Sequence, residues 1–546
     1  MKPEKAFWRQ PEGIVAVLLT AAAVALHFHF WLHIGGLWRD EVNQFNISSR
    51  HSLAEMEKDS FPLIMPLLVH LWLALGLGKN DQDLRLLGLL VGLGILAALW
   101  ICTWKARRSP PLLALALFGL NSSVIFFGDS LRAYGLGSLL AVALTAVAFI
   151  FLQQPSAIRA VWLALTAILS VQLLYNNAVL VAAVCFGAWA VCWRRKDGRA
   201  ALQVLLVAVL AAASLLPYAP HLIAGAGVTS VLRTGVKLPR FFATYTDTLG
   251  FPLSEYIYLW ALLYAAIVFR ACAGLRQAAK APGQIDARHA NADLNLFAAV
   301  ALTLSVVGFP VFFWRAQMPM QSWYVLSLLA SAVVCFDIAL SCRHWIWRAV
   351  LLVFVVVTAG FSFPETNKLL DGHFSDVNLY AEKLTANAAP KDYIVVDPWL
   401  FGITFDHYFK GATPWDTLPP LPDHATHRFD LVKLQLQNTN AIAPVLQKIA
   451  QTLQSGHHVW ILADKGWFGI PGPGQGAPPS LPPAPSPKTG WADWPYTQVW
   501  AAQIACFISG HSTQFGKLQD LSRERFITED VDAFVASGWK TNSVAP

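Results

Sequence analysis

The residues best placed to do chemistry stand four in a row, Trp38-Arg39-Asp40-Glu41, just beyond an apolar run that ends at His33. A carboxylate there can take a proton from a hydroxyl as general base. Its neighbour can orient a partner, hold a cation or brace the loop. The same residues would also serve as a solvated helix cap with Arg39 as counter-charge, and spacing alone leaves both uses open. A second group is cationic. Arg132 lies between Asp129 and Tyr134, and Arg233, Lys237 and Arg240 occupy a stretch, 223–254, with no acidic residue until Asp247. Cations aimed at one point would bind a phosphate and stabilise charge growing on it. Their plainer uses are an Arg132–Asp129 pair and nonspecific attraction of anionic head groups. Tyr324 can hydrogen-bond an anion or belong to an interfacial aromatic belt.

Other patterns carry less. Asp81-Gln-Asp83 has the Asp-x-Asp form of a nucleotide-sugar metal site, but it precedes an apolar helix, where N-capping accounts for it. His29 and His33 have the i, i+4 spacing of a helical metal pair, yet they sit in an aromatic stretch at the end of an apolar run. His424-Ala-Thr-His427 and His457-His458 have no Cys or Glu cluster nearby. There is no Gly-rich phosphate loop, no Gly-x-Ser-x-Gly and no Cys-x-x-Cys. No metal ligand is therefore assigned and no cofactor is certain; a divalent cation is left open.

The elements that must position these groups are membrane helices. Of 546 residues, 55% are hydrophobic and only 13% charged, against about 25% charged in a soluble domain. Such a chain cannot cover a water-facing surface, and it is too apolar to be disordered. Seven cysteines do not make a disulfide scaffold, because six lie in or beside apolar runs and Cys506 is alone in the polar C-terminal part. The net charge of +7 fits basic cytoplasmic loops better than nucleic-acid binding. A spanning helix needs about 20 apolar residues. Eleven runs qualify: 13–33, 84–104, 111–127, 134–152, 160–174, 178–193, 201–222, 255–272, 294–314, 321–342 and 346–363. A twelfth, 61–78, carries Pro62, Pro66 and His70. If it crossed, Lys105, Arg107 and Arg108 and every later basic loop would fall outside, so it is expected to lie at the outer interface. The first run, although signal-like, continues through 27–33 and is expected to remain as a span.

Two domains follow: a membrane domain over 1–363 and a soluble domain over 364–546, expected on the extracytoplasmic side. The latter should be α/β, with helices near 377–388 and 441–454, strands at 392–397 and 458–463, and a Gly/Pro-rich loop over 469–487.

Arg39-Asp40-Glu41 after the first span, Phe61-Pro62-Leu63 and Pro66-Leu67 opening an interfacial helix, and Asp83-Leu84-Arg85 opening the next span resemble the start of the GT-C membrane glycosyltransferases. Within them the chain resembles the bacterial relatives of the dolichyl-phosphate-mannose protein mannosyltransferases (glycosyltransferase family 39), a family that also resembles the aminoarabinose transferases. Phe127-Gly128-Asp129-Ser130-Leu131-Arg132-Ala133-Tyr134 is a second matching piece. Trp323-Tyr324-Val325-Leu326 is a third, with Trp323 where relatives tend to carry Arg. The resemblance covers the membrane region and extends loosely to the two strands of the soluble domain. It implies a polyprenyl-phosphate sugar donor and transfer to a glycan, lipid or protein acceptor on the outer face of a bacterial inner membrane; direct attack opposite the phosphate then predicts inversion at the anomeric carbon. It implies Asp40 as general base, with Glu41 following the family's Asp-Glu pattern. Charge growing on the departing phosphate then calls for cationic donors, for which Arg132, Arg233, Lys237 and Arg240 are the candidates, with Tyr324 as a hydrogen-bond donor. The rival readings are a lipid or glycan flippase and a noncatalytic scaffold. A flippase should carry ionisable residues at mid-membrane; here the charges gather at one face, with Asp337 the exception.

Overall fold

The computed structural model describes residues 10–50, 52–57, 61–228, 238–249, 253–280, 287–341, 344–465, 479–485, 491–518 and 526–540. The chain is a polytopic α-helical membrane protein with a C-terminal α/β domain. It forms two compact units. One comprises 1–32, 52–221 and 236–370; the other comprises 33–51, 222–235 and 371–546.

Nine helices among the described residues are long and apolar enough to cross a membrane: Pro11–His33, Asp81–Arg107, Ala133–Gln153, Asn177–Arg194, Gly198–Ala224, Tyr256–Gln277, Asn291–Ala316, Ser322–Ala339 and Trp345–Leu369. Each coincides with an expected run. The other two expected runs are shorter. Ala157–Val171 has 15 residues, roughly 22 Å at 1.5 Å each. The run 111–127 is broken: a helical turn at Leu112–Ala114 passes into a π-helical turn at Leu115–Gly119, and a new helix starts at Ser122. Asn121 causes the restart, its side chain accepting the Val124 N–H at 3.2 Å. Ile64–Ala74 has 11 residues, which at roughly 16 Å is too short to span.

A broken helix in an apolar surround needs every freed N–H satisfied. Asp337 does this at the head of the broken run. Its two carboxylate oxygens accept the N–H groups of Leu113 and Ala114, each at 2.9 Å. The charge that stood out in the apolar pattern is thus an anchor for backbone. Asp337→Ala orphans both donors and is expected to destabilise this unit by about 2–4 kcal/mol. Denaturant titration in detergent against wild type measures it.

Asp81-Gln-Asp83 caps its helix differently from expectation. The N-cap is Asn80, whose side chain accepts the Asp83 N–H at 2.8 Å. Asp81 and Asp83 lie in the first turn, where negative charge suits the helix dipole.

The second unit is built on a five-stranded sheet. Its strands are β2 (Tyr393–Asp397), β3 (Trp415–Thr417), β4 (Val459–Asp464), β5 (Ser512–Lys517) and β7 (Val531–Trp539), in the order β3-β2-β4-β7-β5. The first three run parallel and the last two pair antiparallel. Separately, β1 (His373–Ser375) pairs in parallel with β6 (Phe526–Glu529). All five residues of β2 are buried, as a parallel strand covered on both faces requires. On one face Val395 and Ile461 meet Val445, Ile449 and Leu453 of the helix Ala443–Gln454. On the other, Ile394, Val396 and Leu462 meet Tyr380 and Leu384 of the helix Val377–Asn387. These helices and strands fall within one or two residues of their sequence-based bounds. The Gly/Pro-rich stretch lies largely outside the described residues.

Candidate functional site

The position of Asp40 begins with two glycines. Gly35 has φ +75°, and a Cβ there would stand 2.8 Å from His373 Nδ1. A Cβ on Gly36 would stand 2.6 Å from Asn378. Only glycine permits both the left-handed turn and this close approach. The Leu37 N–H then donates to the Tyr408 hydroxyl at 2.6 Å, and Trp38 stacks on Phe374 with ring centroids 5.4 Å apart.

The chain next turns into the helix Arg39–Ser48. Glu41, Val42, Asn43, Gln44, Ile47 and Ser48 are its buried residues. Asp40 and Glu41 occupy its first turn, where carboxylates are favoured. Asn43 Oδ1 accepts the His427 N–H at 3.0 Å, and Asn46 Nδ2 donates to the Ala425 carbonyl at 2.7 Å. Two amides spaced i, i+3 therefore grip the segment that carries His427.

Asp40 and Glu41 are adjacent but not equivalent. Asp40 is 17% exposed. Arg39 Nε lies 3.9 Å from its Oδ1, and His427 Nε2 lies 3.4 Å from the same oxygen. Glu41 is wholly buried. A partly exposed carboxylate can meet a substrate hydroxyl; a wholly buried one suits bracing.

Arg39 is itself fixed. Its backbone N–H donates to Glu529 Oε1 at 3.1 Å, and its Nη1 reaches the same oxygen at 3.4 Å. Thr404 Oγ1 donates to Glu529 Oε2 at 3.0 Å. Burial pushes the Glu529 carboxyl above its ordinary range, an effect that Arg39 opposes. His427 lies parallel to Phe429, with ring centroids 5.5 Å apart and planes 5° from parallel.

The expected phosphate ligands belong mostly to the other unit. Arg132 is buried, with Cζ 4.5 Å from the centroid of the Phe61 ring. Phe61 packs edge-on against Tyr134, and Tyr134 against Tyr324, at 5.7 and 6.0 Å. Tyr324 also stacks on Phe313 at 5.0 Å. Arg132 and Tyr324 thus border one aromatic cluster. Asp129 gives its Oδ2 to His27 Nδ1 at 2.6 Å, a pairing the sequence did not suggest. Arg240 is exposed, on the helix Leu238–Leu249. Arg233 and Lys237 lie outside the described residues. Among the described residues, no group of three or more His, Cys, Asp or Glu could hold a metal ion.

His427 and Glu529 were missed by sequence reasoning. His427 offered only a bare His-x-x-His, and Glu529 no pattern at all. Neither long-range contact leaves a local signal.

Several solved structures resemble this chain. One is ArnT from Cupriavidus metallidurans bound to undecaprenyl phosphate, at 14% identity and a TM-score of 0.45, covering 82% of this chain and 93% of that one. Another is the Archaeoglobus fulgidus oligosaccharyltransferase tethered with an acceptor peptide, at 9% identity and a TM-score of 0.47, covering 96% and 75%. A third is the arabinofuranosyltransferase AftD from Mycobacteria, at 14% identity and a TM-score of 0.38, covering 96% of this chain and 40% of that one. No protein-family model and no curated protein sequence matches.

Proposed function

We propose that this protein is an integral-membrane glycosyltransferase of GT-C type. It moves a hexosyl or pentosyl group from a polyprenyl phosphate to a glycan, lipid or protein acceptor. The observation that carries the reading is Asp40: a partly exposed carboxylate at the head of a short helix, with Arg39 and His427 on one of its oxygens. It takes the proton from the acceptor hydroxyl as that oxygen bonds to the anomeric carbon. The bond from that carbon to the phosphate oxygen breaks, and the electron pair leaves on the phosphate. A phosphate leaving group needs no protonation, so one carboxylate suffices where a glycosidase uses two. Attack opposite the leaving group inverts the anomeric carbon. Glu41 braces the helix.

Arg132 and Tyr324 are the donor-phosphate ligands in this reading, with Arg233, Lys237 and Arg240 as further cations. Arg132 is the strongest of them, since a buried guanidinium binds phosphate oxygens in pairs. Placing the basic loops inside a bacterial inner membrane puts the C-terminal domain on the extracytoplasmic face.

The test is turnover by the purified chain in nanodiscs with a panel of polyprenyl-phosphate sugars. Release of free polyprenyl phosphate is followed by mass spectrometry. Release from one donor supports the reading. A panel in which no donor is bound or consumed would overturn it.

A further inference from the structure

We infer that His427 is the positioning residue of the base: it donates Nε2–H to Asp40 Oδ1 and holds the carboxylate plane toward the acceptor hydroxyl. This rests on the glycosyltransferase reading and deepens it.

Three features of the geometry point there. His427 Nε2 lies 3.4 Å from Asp40 Oδ1, longer than a formed hydrogen bond, and contacts of this kind tighten once substrate is bound. The segment carrying His427 is docked on the helix of Asp40 itself, through Asn43 and Asn46. The imidazole plane is fixed by the parallel Phe429 ring. Backbone placement and ring orientation are thus both set, and what they set is one ring nitrogen against one carboxylate oxygen. The side chains of Asp40 and His427 are 17% and 16% exposed, so the pair borders solvent and a substrate can reach it.

Two charged groups near the pair are engaged elsewhere. Arg39 also neighbours Oδ1, but it is held by buried Glu529 and stands farther off, at 3.9 Å. Arg428, next in sequence to His427, is committed to Asp423 and Asp430. His427, set by its backbone docking and by its ring, is well placed to set the rotation of the Asp40 carboxylate. The balance of the reaction is unchanged. The acceptor proton ends on Asp40, the glycosidic bond forms, the bond to phosphate breaks, and His427 keeps its proton throughout. Orienting a base by a neighbouring hydrogen bond recurs wherever a carboxylate and an imidazole work in sequence; here the order is reversed, with the imidazole orienting the carboxylate.

The experiment compares wild type with His427→Ala, His427→Asn, His427→Gln and Asp40→Asn on the donor that wild type consumes. His427→Ala is expected to lower kcat by about 30-fold with donor KM within about twofold. His427→Gln, long enough to donate to Oδ1, restores kcat to within about fivefold, and His427→Asn, too short, does not. Free imidazole raises the rate of His427→Ala. Wild-type kcat in His427→Ala overturns the inference. So does a loss that neither Gln nor imidazole repairs, because that is what a packing role would produce. If His427→Ala does not fold, the Gln–Asn contrast decides. Asp40→Asn keeps the two ideas apart: wild-type turnover in that variant overturns the assigned base, whereas loss there with normal His427→Ala overturns only the positioning role.

Discussion

Asp40→Asn is expected to lower kcat by about 10³-fold while donor affinity changes little. The amide keeps the shape but cannot take the acceptor's proton, and a positioned general base typically contributes about 10²–10⁴-fold. Donor binding draws on phosphate and lipid contacts that Asp40 does not make in the proposed mechanism, so KM and kcat should separate. Glu41→Gln provides the contrast. Glu41 is wholly buried, and its replacement should be felt in folded yield before it is felt in donor KM. Rates of polyprenyl-phosphate release, measured across donor concentrations for the three proteins, check this. Equal rates for wild type and Asp40→Asn would remove Asp40 from the mechanism.

The second large effect is on stability, and its sign is unusual. Asp376 is almost fully buried, its Oδ1 accepting the Val531 N–H at 3.0 Å. Burial, aided by the nearby charge of Asp530, pushes its carboxyl up to about 8 despite that hydrogen bond and Lys465. An unfolded Asp titrates near about 3.9. Between those values the folded state binds the proton that the unfolded state has lost, so stability falls as pH rises. The contribution is fully present below the unfolded value and gone above the folded one. Its size is on the order of a few kcal/mol. Asp397, Asp493 and Glu529 are raised in the same direction, each chiefly by burial, so they add to the slope. The melting temperature of the C-terminal domain should therefore drop between pH 5 and pH 8. Asp376→Asn, which keeps an acceptor for Val531 and carries no charge, should melt higher than wild type at pH 8 and give a shallower curve. Calorimetry of the intact protein in detergent measures both. Parallel curves for the two proteins would show that Asp376 is not the titrating group.

A structural consequence accompanies this slope. Asp376 and Glu529 are joined through backbone, the Asp376 N–H donating to the Glu529 carbonyl, and Glu529 in turn holds Arg39 beside Asp40. The acid-stabilised part of the domain is thus the part on which the Asp40 helix is seated.

Composition and spacing by themselves determined the class of this protein. A chain with so few charges must put its helices in lipid, and nine of the eleven expected runs are helices long enough to cross. Period and β-branching placed Tyr393–Asp397, Val459–Asp464 and their flanking helices, because a strand buried on both faces and an amphipathic helix each leave a local pattern. Arg39-Asp40-Glu41 could be singled out as chemistry because charge at the edge of an apolar run is conspicuous. What only tertiary structure decided was how these charges are used. The anchoring of Leu113 and Ala114 by Asp337 depends on a helix from elsewhere in the chain supplying the missing acceptors. The unequal exposure of Asp40 and Glu41 depends on which face of a ten-residue helix is covered. The partners of the Arg39–Asp40 pair, His427 and Glu529, come from the far end of the sequence. Local sequence sets propensity and periodicity over a turn or a strand. A hydrogen bond between segments hundreds of residues apart is written in neither, and exists only once both have packed.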